Sequence, residues 1–183
     1  MAYASETLRD SYVTLRSAPF GPGEVVEDSF IPLKMVTYYA NIPDTEVGNE
    51  PLEGFAAFSN DGTVAMRGES ISTLRSFKGF FAKKIYSDYR ADPSFPNQGS
   101  RFATPICARG RICVYAATPI FPRPGTPTFV ITSVPVGSSL QVGSLAQGPL
   151  PSGVTFIDVS SACRVKSGAT KPNNLVLVDI LIK

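Results

Sequence analysis

Residues Leu175 to Lys183 read LVLVDILIK. β-Branched residues crowd the run, which predicts a strand. By the two-residue period Val176, Val178, Ile180 and Ile182 share one face, while Leu175, Leu177 and Leu181 fill the other, broken only by Asp179. An antiparallel strand with one wet face alternates apolar and polar residues, so here both faces require cover. Either the strand is central in its own domain, or another chain covers the leucine face.

Working back from that run, VTFIDVSSACRV (154–165) reads as the strand that pairs with it in a terminal hairpin. Ser139 to Leu145, TFVITSV (Thr128 to Val134) and RICVYAA (Arg111 to Ala117) continue the series, separated by tracts of Gly, Pro, Ser and Asn. Residues 91–105 read as a loop. SNDG (Ser59 to Gly62) is the best hairpin turn, between GFAAFS and TVAMRG, because Asp61-Gly62 supplies the positive φ angles of a tight turn. One helix of about eight residues is expected after it, capped by Ser70 or Ser72, with Ile71, Leu74 and Phe77 or Lys78 on its turns and Gly79 at its end. A strand from Phe81 to Arg90 follows. Phe30 to Asn41 reads as an earlier strand, and the first 20 or so residues as either a short helix capped by Ser5 or an extended arm. The expected fold is therefore all-β: an eight-stranded antiparallel jelly-roll β-sandwich with one short inserted helix. Residues 1–25 form an N-terminal arm and 26–183 the jelly-roll domain.

Composition narrows the function. The chain has 183 residues, 43% hydrophobic and only 17% charged, with 15 Gly and 16 Pro. No apolar run approaches the length of a membrane span, and MAYASETLRD lacks the pattern of a signal peptide, so a soluble intracellular chain is expected. Histidine is absent, which excludes Ser-His-Asp and Cys-His catalysis, His-ligated metals and a histidine pH switch. Cys107, Cys113 and Cys163 form no C-x-x-C pair and read as buried thiols. Glu50, Glu53, Asp61 and Glu69 lie close in sequence but read as loop charges, with no phosphate loop or nucleophile elbow beside them. No enzyme, no cofactor and no metal are expected. Charge is unevenly spread: residues 1–69 hold 4 Lys or Arg against 11 Asp or Glu, residues 70–183 hold 13 against 4. That bias suits contact with RNA or with an acidic neighbour in an assembly.

STLRSFKGFFAKKIYSDY, then RICVYAA, TFVITSVPVGSS and the closing LVLVDILIK together resemble the coat-protein domains of picorna-like viruses. The resemblance spans roughly Gly68 to Lys183 and is greatest to the plant secovirids: the comovirus small coat protein and the cheraviruses, which have three separate coat proteins. GESISTLR is also similar to a Gly-Glu...Ser-Leu-Arg stretch of insect dicistrovirus and marine picorna-like coat proteins. The resemblance implies a structural protein of an icosahedral virion that assembles with copies of itself and sibling coat proteins around RNA, in the host cytoplasm, with no membrane partner. The acidic N-terminus departs from the arginine-rich arms of many plant virus coat proteins, so only weak contact with genomic RNA is expected. Arg75, Lys78, Lys83 and Lys84 are the candidates to face RNA or a neighbouring subunit, and Leu175, Leu177 and Leu181 the candidates for a subunit interface. A jelly-roll carbohydrate-binding or scaffold module is the alternative, disfavoured by the absence of Trp and the scarcity of acids after position 92.

Overall fold

A computed structural model describes residues 21–26, 31–41, 52–69, 72–83, 101–169 and 174–182. Among them are eleven strands and no helix: β1 (Val25–Val26), β2 (Lys34–Asn41), β3 (Ala56–Phe58), β4 (Val64–Ala65), β5 (Phe77–Phe81), β6 (Arg101–Ala116), β7 (Phe129–Ser133), β8 (Leu145–Ala146), β9 (Thr155–Asp158), β10 (Cys163–Val165) and β11 (Asn174–Leu181). The pairings are antiparallel except β2 with β4 and β6 with β8. The long β6 organises the rest. It pairs with β2 along its first half, with β11 along its second, with β1 and β5 at two residue pairs each and with β8 at one.

The main apolar cluster draws Phe58, Phe77, Phe80, Ile112, Val114, Val130, Leu145, Val178 and Ile180 from β3, β5, β6, β7, β8 and β11. Strands so far apart in the sheet order meet only if the sheet curls over its own core, an arrangement compatible with a β-sandwich. A second cluster, Leu52, Ala57, Ala65, Phe81 and Ile106, covers the opposite face of β3, β5 and the first half of β6.

The expected helix does not form. Residues 74–76 make a single turn, in which the Ser76 and Phe77 amides donate to the Thr73 carbonyl, and the chain then enters β5. Ser70, Ile71, Lys84 and residues 85–100 lie outside the described residues. The physical cause of the false helical period is a bulge: Ala57 pairs with Gly79 but Phe58 with Phe77, so Lys78 is an extra residue in the strand. The bulge puts Phe77 and Phe80 on one face at a spacing of three, and their rings meet edge-on at 5.5 Å. Gly79, expected at a helix end, sits at φ 123° inside the strand; a Cβ there would lie 2.0 Å from the Cys107 carbonyl oxygen.

Other expectations shift at their boundaries. The loop expected through 105 is strand from Arg101 onward, since Pro105 is accommodated with Thr37 opposite and its carbonyl accepts the Ala82 amide. Ser139 to Leu145 is mostly turn, leaving only Leu145–Ala146 as strand. The run 154–165 is split into β9 and β10, because the Asp158 carboxylate takes the Ser160 amide at 2.8 Å and turns the chain. The SNDG turn forms, with Gly62 at φ 79° and Phe58 and Met66 exchanging both backbone bonds, although β4 then runs beside β2. Residues 1–20, which include the N-terminal helix or arm, lie outside the described residues.

Candidate interface on the outer face of the last strand

The closing run becomes β11, and its two faces have separate fates. Val176, Val178 and Ile180 are buried in the main cluster, opposite Val114, Ile112 and Gly110 of β6. Leu175, Leu177 and Leu181 are only half-buried. Opposite them, on the same face of β6, stand Tyr115, Cys113 and Arg109.

Asp179, the one acidic residue of the run, is held on this leucine face. Arg111, its cross-strand partner, donates from Nε to Asp179 Oδ1 at 2.6 Å and from Nη2 to Oδ2 at 3.2 Å. Lys166 Nζ lies 3.4 Å from Oδ2. The carboxylate is 5% exposed, Arg111 24% and Lys166 46%, so a buried acid joins two cations that lean progressively toward solvent. Burying a carboxylate demands such partners. Arg164 of β10 is paired with Asp179 from the other side and is exposed, as is Arg109 two residues before Arg111. Lys34, exposed, is paired with Arg109.

Toward the other end the face becomes aromatic and closed. Tyr115 stacks on Phe55 with ring centroids 4.6 Å apart, and Arg67 Cζ lies 3.7 Å from the centroid of the Phe55 ring. Burial and then the charge of Glu53 push the Tyr115 phenol upward. Cys113 is pushed up to about 12, first by burial and then by Glu24. Burial likewise raises Cys107 and Cys163 to about 12, so none of the three thiols is a nucleophile at neutral pH.

Of the four cations expected to face RNA or a neighbouring subunit, three are described. Arg75 is exposed on the turn before β5, where Lys78 Nζ donates to its carbonyl at 3.0 Å. Lys83 is exposed past the end of β5, where its amide donates to the Gly23 carbonyl. Lys84 lies outside the described residues. The cluster that the structure does assemble, Arg109, Arg111, Arg164 and Lys166 around Asp179, was passed over in sequence because its members come from three separate segments. Its one legible sign was Asp179 itself, a charge in an otherwise apolar run.

Asp61 is spent on its turn, accepting from the Thr63 and Val64 amides at 2.8 and 2.9 Å, and Glu50 lies outside the described residues. Among the described residues no group of three or more His, Cys, Asp or Glu is placed to hold a metal. No family model and no curated protein matches the chain.

Proposed function

We propose that the chain is a structural coat protein: a jelly-roll subunit that assembles with its own copies and with sibling coat proteins into an icosahedral shell around RNA, as its resemblance to the secovirid coat proteins implies. The observation that carries this reading is the leucine face of β11. Leu175, Leu177 and Leu181 stay half-exposed beside a core that already fills the strand's other face. Obligate interfaces are more apolar than the surface of a monomer, and a shell subunit needs several of them. An overall charge content of 17% agrees with a protein that covers much of its surface.

Coexpression with candidate sibling coat proteins, followed by electron microscopy, tests the reading. Uniform shells are the expected product. A stable monomer that neither assembles nor joins particles would overturn it, and strong retention of that monomer on a glycan array would favour a carbohydrate-binding module instead.

A further inference from the structure

Three Thr-Pro dipeptides occur in the sequence, Thr104-Pro105, Thr118-Pro119 and Thr126-Pro127, and no Ser-Pro. The structure sets them in different surroundings. Thr104 is buried within β6, opposite Tyr38. Thr118 has its hydroxyl engaged twice, donating to the Gln147 carbonyl and accepting the Gln147 amide, each at 2.9 Å. Thr126 belongs to the loop 121–127, which leaves the domain after buried Ile120 and returns at buried Thr128. The Gln147 side chain holds both ends of that loop: Oε1 accepts the Phe121 amide at 2.8 Å and Nε2 donates to Thr128 Oγ1 at 3.3 Å. At its tip the Thr126 amide donates to the Arg123 carbonyl at 3.3 Å, around Pro124 and a Gly125 at φ 77°, the pattern of a type II turn. Nothing lies within 4 Å of where a Gly125 Cβ would be, and Arg123, Pro124, Gly125 and Pro127 are exposed. Thr126 is half-buried, yet its hydroxyl bonds to no described residue. Among the described residues the one buried side-chain oxygen or nitrogen without a partner is Ser144 Oγ, so the Thr126 hydroxyl is open to solvent.

We propose that Thr126 is a phosphorylation site, the acceptor of a proline-directed protein kinase that uses a nucleoside triphosphate. In the transfer a bond forms between Thr126 Oγ1 and the γ-phosphorus and the bond from that phosphorus to the β–γ bridging oxygen breaks; the hydroxyl proton passes to the kinase's base and the nucleoside diphosphate leaves. The site is independent of the coat-protein reading. Backbone form is the first argument. A residue before proline is held extended, as a kinase cleft requires, and proline brings no N–H to be stranded in an apolar pocket beyond the acceptor. Access is the second, since only this threonine of the three offers a free hydroxyl on a projecting turn whose base is pinned by Gln147. Charge is the third. The product carries about two negative charges, and the turn brings the Arg123 Cα within about 7 Å of Thr126. The Arg123 guanidinium, exposed and 5.7 Å from the centroid of the Phe121 ring, is at hand to pair with the phosphate.

The test is incubation of the full chain, folded and urea-unfolded, with a purified proline-directed kinase and ATP labelled in its γ-phosphate, followed by mass spectrometry of the peptides. The folded chain should carry phosphate on Thr126 alone, and the unfolded chain on all three threonines. Thr126→Ala should abolish labelling of the folded chain, Pro127→Ala should remove most of it, and Thr118→Ala should leave it unchanged. Thr126 and Pro127 belong to none of the apolar clusters, so circular dichroism should show both of their variants folded. Absence of label from Thr126 in the folded chain, or label on Thr104 or Thr118 there, would overturn the proposal.

Discussion

Asp61 shows how one side chain settles a local structure. The Val64 amide, and then that of Thr63, hold its carboxyl down at about 2 from an ordinary 3.8, while Ser59 Oγ accepts the Gly62 amide. Because the folded value lies below the unfolded one, the turn's contribution is complete above about pH 4 and disappears as pH falls toward 2. Denaturant midpoints of the native chain and of Asp61→Asn should therefore converge as pH is lowered from about 4 to about 2. A gap that stays constant through that window would deny the carboxylate its role. This residue was legible in sequence, since Asp-Gly between two apolar runs specifies its own geometry. Gly79 was half legible: the positive φ was expected, but its cause is a neighbouring strand's carbonyl oxygen, which no local pattern records.

At the scale of elements, β11 was the easiest strand to read and β5 the hardest. An eight-residue strand with β-branched residues in alternate positions has one sensible phase, and its core face came out as the period required. A five-residue strand with a bulge has none, and FKGFF imitates a helix because the inserted Lys78 changes a spacing of two into one of three. The division of β11 also yields a test. Leu177→Asp with Leu181→Asp places charges on a half-exposed face and should spare folding while impairing association, read by circular dichroism and by particle yield. Val178→Asp puts a charge into the main cluster, where an unpaired buried carboxylate costs several kcal/mol, and should prevent folding. Loss of folding in the leucine variant would return that face to the domain's own core.

For the whole molecule, the all-β class was visible in the punctuation of the sequence, in its scattered glycines and prolines and in its short β-forming runs. The candidate surface was not. Arg109, Arg164 and Lys166 come together only through two pairings of β11, one with β10 about 15 residues away and one with β6 about 70 residues away. Such non-local contacts also make the fold cooperative. Cys107 and Cys163 sit in the main cluster and Cys113 is buried on the outer face, each raised to about 12. All three should react with a thiol reagent at one shared rate equal to that of global unfolding. Faster labelling of Cys113 alone would show that the outer face opens independently of the core.

The long strand β6 also carries an extra residue. Lys34 faces Arg109 but Met35 faces Cys107, so Ala108 is skipped, and Gly110 follows at φ 133°. Five positions separate Cys107 from Ile112, an odd number, yet both reach the main cluster. The strand is written in two frames with a shift between them. Substitutions within either frame are judged by neighbours on that side alone, so each half can drift in composition without regard to the other. Deleting Ala108 would leave an even spacing between Cys107 and Ile112 and keep both faces, whereas deleting a residue within either frame would turn one half inside out, carrying arginines inward or isoleucines outward. Along this strand, length is a stricter inheritance than identity.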